Sequence, residues 1–213
     1  MAAGKYRTIV ADPPWDYGDK ASAGWAWREG RPSGSVRPLP YPTMGLEEIA
    51  ALPLRDLAAK GAHLYLWTTQ RFLRESYWIC EAWGFTPIST NVWCKEPRGF
   101  GPGGAFQSTV EFFVFARRGT LAALSTQNPQ WYRWPRGEHS QKPDAFMDLV
   151  EQISPEPRLE MFSRRARLGW DTWGNESLGG GEFFTKTVQS EAVADQNRTG
   201  VPHLTPDLQG MSR

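Results

Sequence analysis

Cysteine and histidine are scarce in this chain of 213 residues. The chain contains two cysteines, Cys80 and Cys94, and three scattered histidines, His63, His139 and His203. Two cysteines are too few for a disulfide framework, and none of these residues shows the spacing of metal ligands. The sequence therefore argues against a metal enzyme.

Long apolar runs are absent as well. No run approaches the roughly 20 residues that a membrane-spanning helix needs, and residues Met1–Lys5 lack the apolar segment of a signal peptide. The length is that of one ordinary domain with a substantial core and a tail. We expect a cytoplasmic protein that has no membrane partner.

Net charge is small, because 24 basic side chains face 23 acidic ones and leave a formal charge of +1. Such a chain has no overall electrostatic attraction to nucleic acid, so any binding of phosphates must come from local patches. Arginines are concentrated at two places, which are Arg28, Arg31 and Arg37, and later Arg164, Arg165 and Arg167.

Tryptophan, in contrast, is abundant, with 11 residues. We expect most of them, including Trp67 and Trp93, to lie in the core. Those in stretches rich in Gly, Pro and Arg could instead stack on a ligand. These are Trp15, Trp25, Trp27, Trp131 and Trp134.

The motif Asp12-Pro13-Pro14-Trp15 follows the apolar run Thr8–Ala11. A short, β-branched apolar run predicts a strand that is buried on both faces. Two consecutive prolines cannot continue the hydrogen bonding of a strand, so the chain must leave the sheet here. The motif is therefore expected at the carboxyl edge of the first strand, where open α/β sheets bind ligands.

This motif suits chemistry on an amine that is conjugated to an aromatic ring, such as N6 of adenine or N4 of cytosine. Such a nitrogen is a poor nucleophile, and acceptors must hold its N–H groups before it attacks an electrophilic methyl group. Asp12 and the carbonyl of Pro13 could do this and stabilise the developing positive charge, while Trp15 could stack on a base taken out of its helix. The four residues are equally consistent with a rigid exit turn around a buried tryptophan.

Apolar patterns along the chain predict alternating strands and helices, which is typical of βαβ units and a mainly parallel sheet. We expect long loops at residues 16–43 and 95–107 and an irregular segment before Pro143. The predicted strands are Thr8–Ala11, His63–Trp67, Thr86–Trp93, Val110–Ala116, Leu159–Phe162 and Trp170–Trp173. The predicted helices are Leu46–Leu52, capped by Thr43, then Gln70–Trp83, closed by Gly84, and a third with Pro143 in its first turn and Ile153 near its end.

Seven motifs in a fixed order make this chain resemble the MT-A70 family of adenine-N6 methyltransferases, and in particular its bacterial and phage members. The resemblance covers residues 6–176 and implies an α/β, Rossmann-like methyltransferase fold with a mainly parallel central sheet. The motif order is permuted, with the catalytic motif N-terminal, and the methyl donor is S-adenosylmethionine. The motifs are Ala11–Trp15, Tyr41–Met44, Leu64–Trp67, Asn91–Lys95, His139–Pro143, Leu159–Arg164 and Gly169–Glu176.

The resemblance also implies roles for individual residues. Asp12-Pro13-Pro14-Trp15 is the expected catalytic motif, with Trp15 and Tyr41 at the substrate. Lys95, which opens a loop, could meet a phosphate of the substrate. The expected contacts of the donor are Asp12, Lys142, Phe162, Arg164, Asn175 and Glu176, with Lys142 on its carboxylate and Glu176 on the ribose hydroxyls.

Two charged residues have no assigned role. Glu160 interrupts an apolar strand, where an unpaired carboxylate would be costly, so it needs a partner or an edge position. Its sequence context fits a structural and a functional role equally well. The stretch Arg165–Arg167 differs from the eukaryotic members of the family, which leaves the role of Arg167 open.

We therefore expect a methyltransferase that acts on N6 of adenine, with DNA as substrate because the chain lacks the long N-terminal regions of the eukaryotic RNA enzymes. The alternatives are adenine in RNA, N4 of cytosine, or a catalytically silent subunit that binds nucleic acid. The intact D-P-P-W motif argues against the last. Residues 1–176 are expected to form the methyltransferase domain and residues 177–213 a flexible tail. A homodimer or a heterodimer, in the cytoplasm of a bacterial or phage-infected cell, is also expected.

Overall fold

The computed structural model describes residues 4–17, 42–96, 106, 108–127, 129–137, 141–163 and 166–173. Within these residues, one sheet contains the strands β1 (Tyr6–Ala11), β2 (Ala58–Thr68), β3 (Thr86–Glu96), β4 (Val110–Arg118), β5 (Trp131–Pro135), β6 (Arg158–Met161) and β7 (Trp170–Trp173). The helices are α1 (Leu46–Ala50), α2 (Leu54–Leu57), α3 (Leu73–Ala82) and α4 (Asp144–Ile153), and a 3-10 turn, Gln70–Phe72, precedes α3.

The strand order places β1 at the topological switch point of the sheet. The order is β5-β3-β4-β2-β1-β6-β7. β4 runs antiparallel to both of its neighbours, and the other four pairings are parallel, so the sheet is mainly parallel as expected. The chain continues from β1 to β2 on one side and returns to β6 on the other. In open α/β sheets, ligands bind outside the carboxyl ends of the strands at such a point.

Both faces of the sheet are covered by helices. Along β1, Ile9 and Ala11 join a core with side chains of α1 and α3, whereas Val10 joins a second core with side chains of α4. β1 is thus buried on both faces, as its apolar sequence predicts. The expected core positions of Trp67 and Trp93 are confirmed, because these side chains are 1% and 3% exposed.

Two predicted helix starts were wrong. The cap of α1 is Gly45, whose N–H donates to the Glu48 carboxylate at 2.7 Å, while Thr43 lies two residues earlier and is exposed. The acidic side chain satisfies the cap amide, so the helix needs no hydroxyl there. Pro143 is the extended residue that precedes α4 rather than part of its first turn. The predicted closure of α3 by Gly84 is confirmed by its φ of 80°.

β5 lies in the segment that was expected to be irregular, so that prediction was also wrong. This strand is parallel to β3 and forms one edge of the sheet. Tyr132 and Trp134 stack with ring centroids 4.5 Å apart and pack against the core beneath α4. Pro135 is the last residue of this strand, and proline is tolerated at an edge strand.

Candidate active site

Asp12 lies at the carboxyl end of β1, at the topological switch point of the sheet. Its side chain is 34% exposed, so the carboxylate lies at the surface of this edge and not in the core. The chain then turns tightly, because the N–H of Trp15 donates to the C=O of Pro13 at 2.9 Å. The N–H of Met44 donates to the C=O of Pro14, also at 2.9 Å. The diproline therefore leaves the sheet as predicted.

Four side chains of alternating charge form a row along this edge, which we call the charge ladder: Asp12, Lys142, Glu111 and Lys95. The Nζ atom of Lys142 lies 2.8 Å from Oδ2 of Asp12 and 3.3 Å from Oε2 of Glu111. The Nζ atom of Lys95 is paired with Oε1 of Glu111. All of these side chains except Asp12 are at most 20% exposed, so solvent screens their interactions only partly.

The ladder is assembled from separate elements. Lys142 stands just before α4, with its ammonium 5.2 Å from the ring centroid of Trp67 on β2. Glu111 is the second residue of β4, which runs antiparallel and therefore begins at the edge where its neighbours end. The sequence predicted Asp12 and Lys142 as site residues but missed Glu111. The signal that could have found it is an acidic residue near the start of an apolar strand.

The pKa values in the ladder favour the charged forms. Burial lowers the pKa of Lys142, but the nearby carboxylates of Asp12 and Glu111 outweigh this effect and raise the pKa above its ordinary value. Burial raises the pKa of Glu111, but Lys142 and Lys95 outweigh it and lower the pKa below its ordinary value. At neutral pH, Lys142 is therefore an ammonium and Glu111 a carboxylate.

Trp15 lies in the core of the protein. Its side chain is 5% exposed, and its ring stacks on Phe72 with centroids 5.1 Å and planes 14° apart. Its indole N–H donates to the C=O of Trp67 at 3.2 Å. Phe72 already covers one face of the ring, so this burial favours the alternative of a buried tryptophan in a rigid turn over the expectation that Trp15 stacks on a flipped base.

Residues 42–44 are tied to the D-P-P-W motif through the main chain. The N–H of Asp16 donates to the C=O of Met44 at 3.3 Å, and Trp15 and Met44 form a parallel bridge. Met44 therefore lies beside the motif. Tyr41, which was expected at the substrate, lies outside the described residues.

Phe162 directly follows β6, whose last residue, Met161, is paired with Ala11, the residue before Asp12. Its φ of 62° is in the left-handed region, which costs roughly 1–3 kcal/mol for a residue other than glycine. Its ring meets Trp173 edge to face at 5.4 Å. Backbone strain at the carboxyl edge of the sheet favours a functional role for Phe162. Outside the described residues lie the other expected donor contacts, Arg164, Asn175 and Glu176.

Glu160 has the partner that its position in an apolar strand requires. The hydroxyl of Ser163 donates to Oε2 of Glu160 at 3.0 Å. Burial raises the pKa of Glu160, and although the hydrogen bond from Ser163 opposes this, the nearby charge of Asp12 adds to the rise. Glu160 is therefore a hydrogen-bonded carboxyl group within electrostatic reach of Asp12.

Two basic residues considered in the sequence are held by acidic partners. The Nε atom of Arg167 lies 2.7 Å from Oε1 of Glu151, and its Nη2 atom lies 2.5 Å from Oδ1 of Asp148. These pairs tie the segment before β7 to α4, which gives Arg167 a structural role. Lys95 is 19% exposed and bound to Glu111, so the expected contact between Lys95 and a phosphate is not supported.

Of the remaining candidates for stacking and phosphate binding, two lie on β5 and the others lie outside the described residues. On β5, Trp131 is 52% exposed, while Trp134 packs against the core beneath α4. Outside the described residues lie Trp25, Trp27, Arg28, Arg31, Arg37 and Arg165.

Comparison with known proteins decides the family. The sequence matches the MT-A70 family over residues 6–176, which is most of the chain. The chain belongs to the MT-A70 family.

Relatives of this MT-A70 protein occur in bacteria and eukaryotes. The chain is 31% identical to the type II methyltransferase M.MunI of a Mycoplasma species, over 81% of this chain and 78% of that protein. It is 27% identical to a probable N(6)-adenosine-methyltransferase MT-A70-like protein of Oryza sativa subsp. japonica, over 83% of this chain and 24% of that protein. It is 26% identical to the N(6)-adenosine-methyltransferase subunit METTL3 of Danio rerio, over 83% of this chain and 29% of that protein.

Membership in the MT-A70 family confirms the expected Rossmann-like α/β fold class. It also confirms the expected class of enzyme, a methyltransferase acting on N6 of adenine in nucleic acid. Methyltransferases of this family use S-adenosylmethionine. Within the described part of the chain, no group of three or more His, Cys, Asp and Glu side chains could hold a metal ion. No helix there is long and apolar enough to span a bilayer.

Proposed function

We propose that this MT-A70 protein transfers the methyl group of S-adenosylmethionine to N6 of adenine in DNA. The observation that carries the proposal is the ion pair of Asp12 and Lys142, with 2.8 Å between Oδ2 and Nζ, at the topological switch point of the sheet. DNA is preferred over RNA because the chain is 31% identical to the type II methyltransferase of Mycoplasma and only 27% and 26% identical to the two adenosine methyltransferases.

The pair of Asp12 and Lys142 fits the methionine part of the donor. That part is a zwitterion, whose ammonium suits a carboxylate and whose carboxylate suits a lysine. The side chains of Asp12 and Lys142 are 34% and 20% exposed, so both can be reached by a ligand. When bound there, S-adenosylmethionine supplies an electrophilic methyl group on a sulfonium.

The catalytic motif prepares the amine of the target base for attack. The carboxylate of Asp12 accepts a hydrogen bond from the amine and stabilises the positive charge that develops on its nitrogen. The carbonyl of Pro13 is the second acceptor. It already accepts from Trp15 but has a second lone pair, whereas the carbonyl of Pro14 is engaged by Met44. Together they orient the amine, and the proton that it loses after transfer passes to water.

Other assignments belong to the same proposal. Residues 1–176 form the methyltransferase domain, and the protein acts in the cytoplasm of a bacterial or phage-infected cell. The expected tail, residues 177–213, lies outside the described residues. Pairing with a second chain is supported by the name of the Danio relative, which is called a subunit. Tyr41 contacts the substrate. The rest of the donor is bound by Phe162, Arg164, Asn175 and Glu176.

Mass spectrometry of nucleosides tests this function. DNA and RNA are incubated separately with the protein and S-adenosylmethionine, and the products are digested. We expect N6-methyladenine from DNA. Product from RNA alone would move the function to the RNA alternative, and N4-methylcytosine would replace adenine as the target. A protein that binds DNA but forms no methylated nucleoside and binds no S-adenosylhomocysteine would be the silent subunit.

A further inference from the structure

Arg71 lies at the same edge of the sheet as Asp12. β1 and β2 are adjacent and parallel, with Ala11 paired to Leu66, and Arg71 occupies the 3-10 turn that directly follows β2. Its side chain is exposed. Among the residues that the structure describes, no acidic side chain forms a salt bridge with Arg71. This exposed cation and Asp12 therefore follow neighbouring strands that end at the same edge of the sheet.

Two aromatic rings fix the guanidinium of Arg71. Its central carbon lies 5.6 Å from the ring centroid of Phe72 and 5.8 Å from that of Tyr17, both within the range of a cation–π contact. Tyr17 meets Phe72 edge to face at 5.1 Å, and its hydroxyl donates to Thr69 at 3.1 Å. Phe72 in turn stacks on Trp15 at 5.1 Å. The position of Arg71 is thus coupled to the catalytic motif through packed rings.

A guanidinium held in this way is suited to phosphate. The rings of Tyr17 and Phe72 have no lone-pair acceptor directed at it, and its planar fork of N–H donors matches two oxygens of one phosphate. Because the chain has a net charge of only +1, its binding of a polyanion depends on such local cations. We propose that Arg71 binds a backbone phosphate of DNA beside the target adenine. This inference rests on the proposed function, because it assigns a substrate contact of the same site.

The salt dependence of DNA binding tests the proposal. Fluorescence anisotropy with a labelled, mixed-sequence duplex gives the affinity of each variant over a range of KCl concentrations. For Arg71→Gln, we expect the slope of log K against log salt to become shallower by about 0.9, the value for one lost phosphate contact. We expect Arg71→Lys to keep most of the native slope, because a lysine still neutralises one phosphate.

A matched control is Arg117→Gln. Arg117 is also exposed, but it lies near the end of β4, at the opposite edge of the sheet, where it is paired with His63 in register. We expect this variant to keep the native slope. Since Arg71 and Arg117 are both exposed, we also expect both Gln variants to remain folded and to bind S-adenosylhomocysteine with native affinity in calorimetry.

An unchanged slope for Arg71→Gln, or an equal change for Arg117→Gln, would overturn the role of Arg71. A native protein that binds no duplex would overturn it as well, even if that protein methylates adenine in another substrate. In contrast, a native protein that shows the expected slopes but forms no methylated nucleoside would keep the phosphate contact and overturn the proposed function. The two failures are therefore distinguishable.

Discussion

Lys142 is a single residue whose partners reveal more than its sequence position. A cation just before α4 faces the unfavourable end of the helix dipole. The structure shows what offsets this effect, since carboxylate oxygens of Asp12 and Glu111 lie 2.8 Å and 3.3 Å from its ammonium. Its place next to Asp12 is the reason for assigning it to the carboxylate of the donor.

The substitution Lys142→Met tests this assignment, because it removes the charge and keeps an unbranched side chain. We expect the affinity for S-adenosylhomocysteine to fall by about 10-fold to 100-fold, the effect of losing one charge-assisted hydrogen bond. Calorimetry measures the affinity. Lys60→Met is the control, since Lys60 is exposed in the first half of β2, away from the ladder. Native affinity in Lys142→Met would remove Lys142 from the donor site.

The burial of Trp15 favours a structural role for this residue of the motif. Trp15→Phe keeps an aromatic ring against Phe72 but loses the hydrogen bond to Trp67. We expect the free energy of unfolding to fall by about 1–3 kcal/mol, from this bond and a smaller ring. Urea denaturation measures this loss. If stability were unchanged while DNA affinity fell, Trp15 would be a stacking platform after all.

At the scale of elements, β4 and β6 each place a glutamate near the edge of the sheet where Asp12 lies. The surroundings of these two glutamates shift their pKa values in opposite directions. Two lysines surround Glu111 and lower its pKa, whereas burial with a single hydroxyl partner raises the pKa of Glu160. A carboxyl whose folded pKa is lowered stabilises the protein above its unfolded pKa, and one whose folded pKa is raised does the reverse.

Glu111→Gln is therefore expected to destabilise the protein at pH 7. The ion pairs of Glu111 contribute stability above its ordinary pKa of 4.5, and this is lost as the pH falls through the lowered folded value. We expect a loss of about 1–3 kcal/mol in urea denaturation at pH 7, and a smaller loss at acid pH. Glu96→Gln, which breaks an exposed pair with Arg133 on β5, should change stability by less than about 1 kcal/mol.

The substitution Glu160→Gln is expected to have the opposite sign. The folded protein holds the proton of Glu160 above its ordinary pKa of 4.5, so stability falls as the pH rises from there through the raised folded value. Glutamine removes this fall and keeps an acceptor for Ser163. Denaturation curves at several pH values should show a variant that is more stable than the native protein at pH 7. A less stable variant at pH 7 would mean that the Glu160 carboxylate is needed in its ionised form.

At the scale of the whole molecule, the sequence predicted what depends on neighbouring residues. The strand Thr8–Ala11 and the exit at two prolines have causes within a few residues, and both are confirmed. The role of Glu111 depends on β4 running antiparallel, and the burial of Trp15 depends on Phe72. Both are set by tertiary packing, which periodicity along one segment does not contain. The family resemblance supplied the fold class because it compares whole chains.

Formation of N6-methyladenine in DNA by Asp12→Asn, compared with the native protein, tests the central claim most directly. Asparagine keeps the size of the side chain but cannot balance positive charge on the amine. We expect the rate of formation to fall by at least about 100-fold, while the variant remains folded and still binds DNA. Formation of N6-methyladenine at the native rate would contradict a catalytic role for Asp12, and with it the mechanism built on the end of β1.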